Sequence, residues 1–163
     1  MFIGNKTVSG FSLRMYQVGN LHLGIPTDIG PRILYLAHQN RPEDNLFSIL
    51  PNAGRQTDEG FWHLYGGHRL WAAPEAFPRT YSLDNRPIIL SEDDKGITLE
   101  SEPEPLAGID KKLIIMPHSS GGIKIIHRIQ NKGLWPIQLA CWALSVMQPN
   151  GTAVLPITPQ PVD

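Results

Sequence analysis

Apolar and polar positions along this chain alternate in short runs, and no long segment repeats apolar residues at helical spacing. Alternation of that kind predicts β-strands with one face buried. Residues 11–18 and 21–25 form the first two, and the Gly19-Asn20 break between them has the length and composition of a hairpin turn. A third strand over residues 32–38 follows the turn-rich Pro26-Thr27-Asp28-Ile29-Gly30-Pro31. Strands over 87–91 and 96–101 flank the charged turn Glu92-Asp93-Asp94-Lys95, and regular structure is also expected over 80–83. A further hairpin joins 111–116 to 123–129 around Ser119-Ser120-Gly121-Gly122. In its return strand Ile123, Ile125, His127 and Ile129 share one face.

Two stretches break this pattern. Residues 135–147 are the most apolar of the chain and predict a buried strand with a bend, with a short helix as the alternative. Residues 39–79 hold few strand-like runs and most of the unusual side chains, so they predict long loops laid over a sheet, where functional groups tend to sit. About ten short strands separated by turn residues give an all-β chain, an antiparallel β-sandwich or barrel. No linker or repeat divides the 163 residues, which predicts a single domain.

Composition narrows the functional classes. Hydrophobic residues make up 41% and charged residues 18%, as expected of a folded domain. Fourteen Lys and Arg against fifteen Asp and Glu leave a net charge of −1 without a basic stripe, which argues against nucleic acid as a partner. No apolar run approaches the roughly 20 residues that span a bilayer, and the N-terminal residues lack a signal-peptide plan, so a cytoplasmic protein without membrane contact is expected. The lone Cys141, within Leu139-Ala140-Cys141-Trp142-Ala143-Leu144, predicts a buried thiol and a reducing compartment.

The candidate chemistry concentrates in Gly66-Gly67-His68-Arg69-Leu70-Trp71-Ala72-Ala73-Pro74-Glu75. Neither a P-loop nor a dinucleotide-binding glycine pattern occurs, and no Gly-x-Ser-x-Gly elbow is present. Six histidines without metal-ligand spacing predict no metal, and nothing calls for a cofactor. His68 and Glu75 are the candidate acid and base. Arg32, Arg69 and Trp71 are the candidate ligand contacts, two guanidinium forks and a flat apolar ring. Each has a structural alternative: an ion pair for Arg32, or for Arg69 with Glu75, a core position for Trp71, and a hydrogen-bonded core histidine for His127.

Several segments resemble a family related to galactose mutarotase and the aldose epimerases. They are Asp28-Ile29-Gly30-Pro31-Arg32-Ile33-Leu34, Asn45-Leu46-Phe47, the Gly66 to Glu75 block, His127-Arg128-Ile129-Gln130-Asn131, and residues 135–144. The resemblance spans roughly residues 25–156 and is most specific at Gly-Gly-His-Arg-Leu-Trp. It implies a mutarotase-like antiparallel sandwich with a cleft for a small carbohydrate, incomplete in this chain. In mutarotases a carboxylate base and a histidine acid open the sugar ring, and their glutamate base comes from a later part of a longer fold. Trp142 also stands near the place of an expected histidine. The reading is therefore carbohydrate binding without efficient catalysis. One alternative is an aldose 1-epimerase or sugar isomerase using His68 and Glu75. Another is a half-fold acting through association, in which a homodimer covers open sheet edges.

Overall fold

The alternating runs do form strands, and a computed structural model describes them over residues 1–154 and 156. Twelve strands follow one another: β1 (Phe2–Val8), β2 (Phe11–Val18), β3 (Leu21–Pro26), β4 (Arg32–Ile33), β5 (Tyr35–His38), β6 (Ile49–Thr57), β7 (Gly60–Ala73), β8 (Ile89–Glu92), β9 (Ile97–Glu100), β10 (Ile109–Pro117), β11 (Ile123–Asn131) and β12 (Ala140–Val146). The described residues contain no α-helix, only a single 3-10 turn at Arg79–Tyr81. That turn replaces the regular segment expected over 80–83.

The strands form three open antiparallel sheets, ordered β1-β2-β3-β5, β11-β10-β9-β8 and β12-β7-β4, with β6 also paired to β7. The Gly19-Asn20 turn leaves Val18 opposite Leu21, as a two-residue hairpin requires. The charged turn between β8 and β9 is closed by Asp93, whose Oδ1 accepts from the amides of Lys95 and Gly96. Period-two alternation then sends Tyr16, Val18, Leu23 and Ile25 of the first sheet against Ile97, Leu99, Leu113 and Ile115 of the second. Ile33 and Leu70 of the third sheet join this core. The chain is thus an all-β, sandwich-like assembly of antiparallel sheets, as its pattern predicts.

The long-loop reading of residues 39–79 is corrected. This region folds into the β6–β7 hairpin, and β7 is the longest strand at 14 residues. The expectation fails because β7 is buried on both faces from Tyr65 to Ala72, so no alternation marks it. The N-terminal strand β1, which the pattern did not single out, pairs with β2. Residues 135–147 do not form one buried strand. Pairing begins only at Ala140, with Leu134 93% and Trp135 78% exposed just before it. Cys141 is exposed rather than buried, because β12 is the edge strand of its sheet, paired only with β7 among the described strands, and the core does not extend over it.

β7 changes partners midway. Gly60 to Gly66 pair with β6, whereas Gly67 to Ala73 pair with β12, and Arg69 and His68 also pair with Arg32 and Ile33 of β4. At the changeover Tyr65, Gly66 and Gly67 take φ values of 54°, 85° and 69°. This left-handed run turns the strand from one ladder into the next, and it explains the glycine pair. A Cβ on Gly66 would lie 2.1 Å from the Ser48 carbonyl oxygen, and one on Gly67 2.2 Å from that of Ile33. Gly67→Ala is therefore expected to lower the unfolding free energy by at least ~2 kcal/mol. Urea denaturation checks this, and an unchanged midpoint contradicts it.

Candidate functional site

Strand alternation divides the Gly66 to Glu75 block between two faces. Arg69, Trp71 and Ala73 lie on one side of β7, and His68, Leu70 and Ala72 lie on the other. The cross-strand partners follow the same parity: Leu144, Trp142 and Ala140 stand opposite the first set, and Ser145, Ala143 and Cys141 opposite the second. Each face carries its own chemistry.

On the first face two arginines are direct cross-strand neighbours, Arg32 of β4 opposite Arg69 of β7. Like charges so placed repel unless a counter-charge intervenes. Asp84 supplies it, its carboxylate accepting from Arg32 and lying 3.3 Å from Nη2 of Arg69. Burial pushes the Asp84 carboxyl up, but Arg32 and Arg69 push it down further, and the net direction is below the usual carboxylate range. Arg32 is completely buried, and its Nη1 donates to the carbonyls of Leu64 at 3.0 Å and Gly66 at 3.1 Å. It holds the changeover point of β7 and has no surface to offer a ligand.

Arg69 is different. It is 3% exposed, and its guanidinium is stacked by Trp62 at 5.2 Å and Trp71 at 4.8 Å. Its Nε and Nη1 have no hydrogen-bond partner among the described residues, nor do the indole nitrogens of Trp62 and Trp71. Burial lowers the Arg69 pKa to about 10 against the upward pull of Asp84, and the group stays charged at neutral pH. Trp71 packs edge-on against Trp142 at 5.5 Å and Tyr81 at 5.6 Å. Beyond this aromatic pair the opposed alanines, Ala73 and Ala140, leave a hollow of about 500 Å3 walled also by Pro74, Gln138 and Leu139.

The second face carries a chain of three side chains. His68 Nδ1 lies 2.8 Å from Ser145 Oγ, and His68 Nε2 lies 2.8 Å from Nε2 of His127 on β11. The two ring centroids are 5.0 Å apart, so the imidazoles meet nearly head-on, as an N–H···N hydrogen bond requires. No group of three or more His, Cys, Asp or Glu with metal-holding geometry occurs among the described residues. Burial, with a smaller push from His127, lowers the His68 pKa to about 4, and burial lowers that of His127 too. The pair is neutral at pH 7.

The structure therefore brings together Arg32, Arg69 and Trp71 but turns His68 away from them. Glu75 lies past the end of β7, exposed, with its carboxylate accepting from the Tyr81 hydroxyl. At roughly 3.3 Å per residue Ala73 alone is roughly 16 Å along the strand from His68. The expected acid–base couple of His68 and Glu75 is not assembled, because the two stand apart and His68 faces the core side. Asp84 and Ser145 are the residues that sequence reasoning missed. Each is tied to its partner across the fold, and no local spacing marks either one. No family model, curated protein or solved structure matches the chain. No helix among the described residues is long and apolar enough to cross a membrane.

Two outcomes follow from this geometry. Asp84→Asn leaves two buried guanidinium groups opposed without a counter-charge, and is expected to cost about 3–5 kcal/mol of stability. Calorimetry of the variant checks this, and a loss below ~1 kcal/mol would contradict it. For His68 the folded pKa lies below the unfolded value of about 6.5. The unfolded chain then binds more protons between pH 6.5 and 4, and stability falls as pH drops through that window. The group contributes no pH dependence above it. The expected loss is roughly 3 kcal/mol by pH 4, read from denaturation midpoints, and His68→Gln should flatten the slope.

Proposed function

We propose that the chain binds a small neutral carbohydrate, in the manner of the mutarotase-like family that its segments resemble. The observation that carries this reading is the hollow walled by Ala73, Pro74, Gln138, Leu139 and Ala140, one same-face step along the ladder from the opposed Trp71 and Trp142. The hollow is open to solvent on one side, and at about 500 Å3 it is broad enough to seat one face of a hexose. Its walls suit a sugar, which presents apolar C–H faces and hydroxyl edges. The half-buried Trp142 offers an aromatic surface, and the exposed Gln138 amide and Glu75 carboxylate offer hydrogen bonds nearby. Arg69 supports the site from beneath, holding the Trp62 and Trp71 rings by cation–π contact worth about 0.5–2 kcal/mol each. Arg32 and Asp84 act as positioning residues.

Ring opening needs an acid and a base at one sugar, and His68 faces away from this hollow. Binding without mutarotation is the function the geometry favours. Tryptophan fluorescence titrated with a panel of aldoses tests it. The expected result is saturable binding in the millimolar range or tighter, weakened at least ten-fold by Trp142→Ala, with the rate of α-glucose mutarotation in polarimetry unchanged. Absence of binding by folded protein at 50 mM sugar would overturn the proposal.

A further inference from the structure

The second face of β7 borders a separate cleft of about 270 Å3, half open to solvent and lined by Ile33, Leu36, Phe47, Ile123, Ile125 and Met147, with His68 and the exposed Ser145 at its polar end. We propose that this cleft is a binding site for a small neutral molecule with a flat apolar body of about ten carbons and a single hydroxyl group.

Size sets the body. A sealed apolar cavity of roughly 150 Å3 suffices for benzene in another protein, and this cleft offers about 270 Å3 with one side open, room for a two-ring body that keeps one edge at the mouth. Wall chemistry sets its character. The side chains around the cleft are aliphatic or aromatic except at His68 and Ser145, and the flexible Met147, 51% exposed at the mouth, can adapt to a guest. Flatness is set by Phe47, whose ring lies nearly parallel to the His68 imidazole, at 19° with centroids 6.4 Å apart.

The polar end sets the single hydroxyl. Ser145 Oγ is engaged on one side by His68 Nδ1, and a hydroxyl has one donor and two acceptor sites, so it retains capacity for a bond to a guest hydroxyl. Two arrangements of protons satisfy the Ser145–His68–His127 chain. Either His68 donates to Ser145 and accepts from His127, or both bonds run the other way. Ser145 can thus present a proton or a lone pair to a guest hydroxyl by reversing the chain, without any change in net charge. A charged guest gains no such partner. The imidazoles are neutral at pH 7, and an ion would lose its hydration against apolar walls. The low basicity of His68 also speaks for recognition over nucleophilic chemistry at Ser145, since the imidazole holds a proton weakly.

This site lies on the opposite side of β7 from the carbohydrate hollow and does not depend on it. Isothermal titration at pH 7 with 2-naphthol, naphthalene and 2-naphthoate tests it. The expected result is that 2-naphthol binds at least ten-fold more tightly than either of the others. Ser145→Ala should erase its advantage over naphthalene, Ile125→Trp should abolish binding by filling the cleft, and Trp142→Ala should leave binding unchanged. Met147→Trp, at the exposed mouth, replaces Ile125→Trp should that variant fail to fold. Equal affinities for naphthol and naphthalene, no binding by folded protein at the solubility limit, or an unchanged preference in Ser145→Ala would each overturn the proposal.

Discussion

Two arginines face each other across neighbouring strands, and the carboxylate of Asp84 makes that arrangement stable. Without it, Arg32 and Arg69 would place two buried positive charges side by side, which costs several kcal/mol. With it, Arg32 is free to donate to the carbonyls of Leu64 and Gly66, at the left-handed turn of β7. That turn hands the strand from β6 to β12 and β4. The segment carrying Asp84 is itself tied down, since its backbone carbonyl accepts from the Gly30 amide two residues before Arg32. The ion cluster thus fixes three segments distant in sequence: the start of β4, the middle of β7, and the loop before β8.

Once β7 is held, its parity separates two kinds of chemistry within a few ångströms. One face stacks guanidinium and indole groups and carries charge. The other meets the sandwich core, where polar groups persist only by satisfying one another. His68 on that side is tolerable because Ser145 lies directly opposite it on β12 and His127 reaches it from β11. The imidazole pair also joins the third sheet to the second, where neighbouring strands β11 and β12 are not hydrogen-bonded as a ladder among the described residues. A polar link at the rim of an apolar interface fixes which residues oppose each other, a task that aliphatic packing alone does poorly.

Much of the sandwich was legible from alternation and turn residues. Strands such as β2 and β3 bury one face, and Gly19-Asn20 declares their hairpin. The parity argument also placed Ile123, Ile125, His127 and Ile129 together. What escaped was β7, because burial on both faces removes the periodic signal and because its glycines read as loop. The site was half legible. Arg69 and Trp71, two residues apart, share a face as strand geometry demands, while adjacent His68 cannot join them. Sequence proximity suggested one site in ten residues, and the strand turned it into two. Asp84, Ser145 and the exposure of Cys141 depend on which strands meet, which no local spacing records.

The partner change along β7 also bears on how the molecule opens. One continuous backbone belongs to the β6 ladder at one end and to the β12 and β4 ladders at the other. The left-handed junction between them is closely packed, with Gly66 against the Ser48 carbonyl and Gly67 against that of Ile33. The two ladders therefore form one cooperative unit in the sense of native-state hydrogen exchange. Amides of β6 and β12 that bond to β7 share an opening event, although their strands never touch as a ladder. Local fraying is left to segments outside that unit, such as the exposed approach to β12 around Leu134 and Trp135.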